Sequence, residues 1–173
     1  MKSMTLRSFR HSLSGLAFFR SFIFVDIATQ RLHLILNRKK IKSYPVSTSR
    51  FGRGSLIGSN KTPTGLHRIY AKFGQRLPSG AVLKDRLYTG EIWDGKSRFG
   101  NLITSRILAL DGLESGINRG GRVDSRKRYI YLHGTNHEKN IGQPASHGCI
   151  TLKNADMIDL FSRVRKGTYV IIV

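Results

Sequence analysis

The sequence predicts a mainly β fold, a curved antiparallel β-sandwich or half-open barrel with one helix docked against it. Three observations lead there. Short segments of alternating apolar and polar residues, closed by Gly, Pro, Asn or Ser, recur along the chain. Helical spacing of apolar residues occurs once, near the C-terminal end. No strand-then-helix alternation, G-x-G-x-x-G turn or Walker phosphate loop is present, which argues against a nucleotide-binding α/β fold.

The elements follow in order. Residues 1–22 carry Lys2, Arg7 and Arg10 ahead of the apolar run Leu13 to Phe19, which resembles the start of a secretion signal until Arg20 interrupts it. They are expected to be a basic leader or extension, and residues 23–173 a single domain. Residues 23–27 and 31–36 alternate as a hairpin around Ala28-Thr29-Gln30, and a third strand spans about 39–47. His33 on the second strand reads as a solvent-facing residue. A Gly- and Ser-rich loop, 51–58, comes next, and Lys61-Thr62-Pro63-Thr64-Gly65 reads as a turn feeding a strand over 66–73. Further strands are expected at 102–110 and 128–133, with a long polar loop over 111–126. Asn154 is the expected N-cap of the helix, Met157, Leu160, Phe161 and Val164 its buried face, and Gly167 its stop. A final strand closes the pattern at 168–173.

Composition narrows the chemistry less than it narrows the fold. A length of 173 residues suits one domain with its own core. The single cysteine excludes an intrachain disulfide and leaves a free thiol. A net charge of +20 favours an acidic partner, a nucleic acid, an anionic lipid or an anionic cell-wall polymer. The basic residues are scattered, however, and no zinc-finger spacing, basic heptad helix or aromatic RNA-binding motif accompanies them. Clusters such as Arg126-Lys127-Arg128 read as solvated faces. No apolar run reaches the length of a membrane-spanning helix.

A lone buried cysteine is usually an inert small hydrophobe. The residues around Cys149 argue otherwise. The apolar run Tyr129-Ile130-Tyr131-Leu132 ends at His133-Gly134-Thr135, and Ser146-His147-Gly148-Cys149-Ile150-Thr151 follows after a polar loop. A thiol attacks a carbonyl as its thiolate, so it needs a base to take its proton. His133 is the expected base and later acid, with the carbonyl of Gly134 orienting its ring. Gly148 keeps the backbone bare, so that its N–H and that of Cys149 can face an oxyanion. His147 is the second candidate base, better suited to tuning the thiolate, and His137 reads as an exposed loop residue. A zinc site built from His133, His137, His147 and Cys149 is the rival reading, but the spacing fits no structural zinc motif.

These residues resemble the L,D-transpeptidase family of the YkuD type, whose signature is a histidine followed at a distance by S/T-H-G-C. Here that is His133 and then Ser146-His147-Gly148-Cys149. Val25 to Leu32 resembles the family's opening hairpin, Thr62-Pro63-Thr64-Gly65 its T-P-T-G turn, and Asn154-Ala155-Asp156 the start of its helix. The resemblance covers residues 23–173. It implies a peptidoglycan enzyme of the periplasm or cell envelope that acylates Cys149 at the third stem residue, meso-diaminopimelate, and releases D-Ala. Transfer to a side-chain amine would form a 3-3 cross-link or attach an envelope protein; water as acceptor would make the enzyme an L,D-carboxypeptidase. A non-catalytic module binding peptidoglycan or another polyanion is the alternative from outside enzymology. The resemblance also implies that no metal or organic cofactor is needed, that peptidoglycan stem peptides rather than nucleic acid are the partners, and that carbapenems acylate Cys149. Ser146, Thr135, Thr151 and Arg122 are the expected substrate-binding residues, Arg122 or Arg119 pairing with a stem carboxylate. Thr151 departs from the family, which commonly has Arg or Asn there.

Overall fold

A computed structural model describes residues 20–96 and 100–173. The expected leader lies almost wholly outside the described residues. Ten strands form one sheet: β1 (Ser21–Asp26), β2 (Arg31–Leu36), β3 (Lys39–Pro45), β4 (Gly65–Phe73), β5 (Ala81–Lys84), β6 (Leu87–Ile92), β7 (Ile103–Gly112), β8 (Tyr131–Thr135), β9 (Ile150–Leu152) and β10 (Tyr169–Ile172). Among the described residues one α-helix, α1 (Asn154–Arg163), follows β9 directly. The order along the sheet is β3-β2-β1-β10-β4-β7-β5-β6, with β8 pairing β7 and β9 pairing β8.

The sheet is mixed rather than purely antiparallel, because β1 runs parallel to β10 and β8 parallel to β9. The sequence marks the first of these pairs. β1 and β10 read as continuous apolar runs, the signature of strands covered on both faces. Ile23 and Val25 enter the main core, while Phe22 and Phe24 pack with Ile171 on the opposite face. β2 instead alternates, with Leu32 and Leu34 buried and Arg31 exposed. His33 is only half solvent-facing, since its ring stacks on Phe24 at 6.2 Å.

β7 organises the middle of the molecule. It pairs β4 through residues 107–112, β5 through Ile103 and Thr104, and β8 on both sides of a register shift between Thr104 and Ile107. Ser105 sits in that shift at φ 62, and its hydroxyl turns inward to Asn154. β5 and β6 were not legible in the sequence, because β5 is a short run of buried apolar residues ending at Lys84 and β6 is exposed along its length, so neither alternates.

The helix is where expected, but its start is built differently. Lys153 occupies the N-cap position without a side-chain cap, and Asn154 is the first helical residue. Its backbone N–H is received by Glu138 Oε1 at 2.7 Å, a carboxylate supplied by another segment. Met157, Leu160 and Phe161 bury in the main core, and Val164 joins them just past the last turn. Gly167 does not stop the helix. It lies four residues beyond Arg163, at φ 89, where the chain turns into β10.

Candidate active site

The side chains singled out on β8 and before β9 meet because those two strands pair in parallel. His133 stands opposite Thr151, which puts the residue two places earlier, Cys149, beside the same strand end. Both line a cavity of about 600 Å³ with Ser47, Arg50, Asn101 and His147 among its other walls.

His133 is held by geometry on three sides. It is 7% exposed, and its Nδ1–H donates to the Gly134 carbonyl at 2.8 Å. A carbonyl can only accept, so the proton belongs on Nδ1 and Nε2 carries the lone pair. Nε2 has no hydrogen-bond partner among the described residues, and the side chain lines the cavity. Gly134 must lack a side chain, since a Cβ there would stand 2.6 Å from the Thr104 carbonyl and 2.8 Å from Asn154 Oδ1. Asn154 is the buried hub behind it. Its Oδ1 accepts from Thr104 Oγ1 (2.7 Å) and Ser105 Oγ (2.5 Å), and its Nδ2 donates to the Thr135 carbonyl (3.1 Å) and Glu138 Oε1 (2.8 Å). The sequence reading saw only a cap in this residue.

The thiol is held from the other side. Tyr131 N–H donates to Cys149 Sγ at 3.4 Å, and Sγ reaches the Tyr129 carbonyl at 3.5 Å. Tyr129 takes φ 53, a left-handed conformation rare for an aromatic residue, in the turn entering β8. Arg128, read from sequence as part of a solvated cluster, is half-buried and clamps the carbonyls of Gly54 (3.2 Å) and Lys61 (2.6 Å). Its charge favours the thiolate of Cys149. Burial outweighs that help and pushes the thiol up to about 11, while burial lowers the His133 imidazole to about 4. Burial thus disfavours the charged form of both groups, the thiolate and the imidazolium alike.

The remaining predicted residues divide. Ser146 is a brace: its hydroxyl donates to the Cys149 carbonyl at 2.6 Å and accepts the Gly148 N–H at 3.3 Å. That engages the Gly148 amide, expected to serve an oxyanion, and leaves the Cys149 N–H as the backbone donor without an acceptor among the described residues. Gly148 itself takes φ 124, a conformation open to glycine, and its carbonyl accepts from Thr62 Oγ1 at 3.0 Å. Thr135 and Thr151 line the cavity, bonded to the backbone of His137 and Ser47 respectively. His137 lines it too, with Nε2 on the Gly100 carbonyl at 2.7 Å. Arg119 and Arg122 are not among its walls; the Arg122 carbonyl instead receives Ile57 N–H. His147 is engaged by partners other than the thiol. Its Nε2 accepts from Arg50 at 2.7 Å, and Asn101 stands 3.3 Å from its Nδ1.

Comparison with known proteins bears on the fold and the family. A Bacillus subtilis protein bearing the name L,D-transpeptidase YkuD is 30% identical over 150 residues, which is 87% of this chain and 64% of that protein. The chain thus spans less than two thirds of that relative's length. Among solved structures, a cysteine-to-serine mutant of the Enterococcus faecium L,D-transpeptidase superposes with a TM-score of 0.56 at 18% identity, over 90% of this chain and 50% of that one. L,D-transpeptidase 3 of Mycobacterium tuberculosis, with a faropenem-derived adduct, gives 0.55 at 15%, over 88% and 60%. The L,D-transpeptidase catalytic domain model matches residues 20–172, from the start of β1 to the end of β10, and on that match the chain belongs to the L,D-transpeptidase (YkuD) family.

Proposed function

We propose that this protein is a cysteine-dependent peptidoglycan L,D-transpeptidase acting in the cell envelope, with stem peptides as donor and acceptor. The observation that carries the reading is the shared cavity of Cys149 and a His133 whose Nδ1 is committed to Gly134, leaving Nε2 as the proton acceptor. Family membership supports the same reading.

The uncommitted Nε2 of His133 sets the order of events. Cys149 Sγ attacks the carbonyl of the third stem residue as its proton passes to His133 Nε2, and the carbonyl oxygen takes negative charge against the Cys149 N–H. Collapse breaks the carbon–nitrogen bond, His133 returns the proton to the departing D-Ala amine, and a thioester remains on Cys149. A side-chain amine of a second stem then attacks the thioester, gives its proton to His133, and leaves with the acyl group as the thiol is restored. The 3-3 cross-link is the product. Water as acceptor gives hydrolysis, and an amine on an envelope protein gives attachment.

Intact-protein mass spectrometry after incubation with a carbapenem tests the nucleophile, and the faropenem-derived adduct on the M. tuberculosis neighbour motivates that choice of probe. An adduct on the wild type and none on Cys149→Ala is expected. No adduct on either would remove the acyl-transfer reading and leave a module that only binds. Incubation with disaccharide-tetrapeptide then separates the acceptors: a cross-linked dimer marks transpeptidation, and a tripeptide with free D-Ala marks hydrolysis.

A further inference from the structure

The cavity that holds Cys149 has one wall of fixed positive charge. Arg50 lines it, and among the described residues no Asp or Glu does. The described ion pairs join Lys42 and Arg163 to Asp159 and Arg68 to Asp111, so Arg50 has no carboxylate within salt-bridge distance among the described residues. Arg50 is nonetheless ordered by its surroundings. Its backbone N–H donates to the Ser146 carbonyl at 3.1 Å, joining it to the segment that leads into the nucleophile. Its guanidinium lies 5.6 Å from the Phe51 ring centre, and Phe51 in turn packs on His147 at 6.0 Å. One terminal nitrogen is spent on His147 Nε2. A guanidinium carries five N–H donors and no acceptor, so donors remain for a ligand.

Arg50, His147 and Cys149 line one cavity, so the guanidinium bonded to His147 faces the same space as the thiol.

We infer that Arg50 is a specificity-determining residue, binding a free carboxylate of the acyl-donor peptide next to the scissile bond. This rests on the transpeptidase reading for the identity of the donor. Two carboxylates of a meso-diaminopimelyl-D-Ala donor have the required chemistry: that of the departing D-Ala, and that on the diaminopimelate side chain. The inference moves carboxylate recognition from Arg119 and Arg122, which do not line the cavity, to a residue that does. It also gives His147 a role separate from the thiolate, as the acceptor that steers the Arg50 fork. Because Arg50 can only donate, His147 Nε2 is the acceptor in this bond.

The test measures binding rather than turnover, in the full chain carrying Cys149→Ala so that the donor is retained. Calorimetric Kd values are taken for a free-acid tetrapeptide stem and for two analogues, one amidated at the D-Ala carboxyl and one at the diaminopimelate side-chain carboxyl. Each peptide is titrated with and without Arg50→Gln, which keeps a donor for His147 and removes the charge. Arg50→Gln is expected to weaken the free-acid peptide about tenfold or more, the loss of one charge-assisted bond. Amidating the recognised carboxyl should cost as much, after which Arg50→Gln costs nothing further, and the analogue that behaves so names the carboxylate. Arg50→Lys should recover part of the affinity, as a point charge without the fork. An unchanged Kd, an equal loss for all three peptides, or no binding would each overturn the inference. D-Ala release by the wild type is read separately: its absence beside an Arg50-dependent Kd would remove the transpeptidase reading and leave the carboxylate site standing.

Discussion

His67 on β4 and His133 on β8 are nearly twins in environment and opposites in use. They are 0% and 7% exposed, and burial lowers both imidazoles to about 4. Both place Nδ1 on a backbone carbonyl, of Gly65 at 3.1 Å and of Gly134 at 2.8 Å. They part at the second nitrogen. His67 Nε2 takes the Ser125 hydroxyl at 3.0 Å, so the ring is spent on tying β4 to the loop before β8. His133 Nε2 has no partner among the described residues, and its side chain lines the cavity with Cys149. Burial and a shifted pKa do not by themselves mark a catalytic histidine; an unspent nitrogen on a cavity shared with a free thiol is the better sign.

The largest effect that would test this contrast is on turnover. His133→Gln should lower D-Ala release by about 10²- to 10⁴-fold, the usual span for a general base, with the melting temperature nearly unmoved. Comparable loss in His67→Gln, per folded molecule, would erase the distinction. Next in size is stability. His67→Ala strands the Ser125 hydroxyl and opens a cavity, and should cost about 2 to 4 kcal/mol in denaturant unfolding while kcat per folded molecule holds.

A third effect is shared by both rings and has a definite sign. Each binds a proton near 6.5 when unfolded and only near 4 when folded. Between those values the unfolded chain holds more protons, so stability should fall as pH drops from 6.5 to 4. Thermal melts across that window check the slope, and His67→Ala should flatten it by about half. The smallest effect concerns the thiol. With Cys149 pushed up to about 11, iodoacetamide labelling of the free enzyme at pH 7 should be slower than that of an unhindered cysteine, and should still be rising at pH 10. Fast labelling at pH 7 would mean a preformed ion pair.

The same contrast explains what was legible in the sequence. Strands with one wet face carry a period of two, so β2, β4 and the hairpin around residues 28–30 could be read directly. β6 is exposed along its whole length and carries no such period. Cys149, His133 and Gly134 were legible because their neighbours are unusual in type and spacing. Asn154 and Arg128 were not, since their work is done by partners distant in sequence: Asn154 bonds Thr104 and Ser105, and Arg128 bonds Gly54 and Lys61. An asparagine at a helix start looks like a cap whether it caps or anchors a core. Arg50 was hidden in the same way, as one basic residue among many until the fold turned it into the cavity.

The parallel pairing of β1 with β10 has a consequence for how the molecule comes together. Phe22 is registered with Tyr169, and β10 lies between β1 and β4 in the middle of the sheet. The first hairpin and the β4–β7 block cannot join until that last strand is laid between them. Such distant pairing pays a large loop-closure entropy before any contact returns it, and folds dominated by it take milliseconds to seconds. A chain leaving the ribosome would stay open until β10 emerged, with the Cys149 segment already made but the sheet unsealed. Refolding should accordingly be a single late event, slow for a domain of this size.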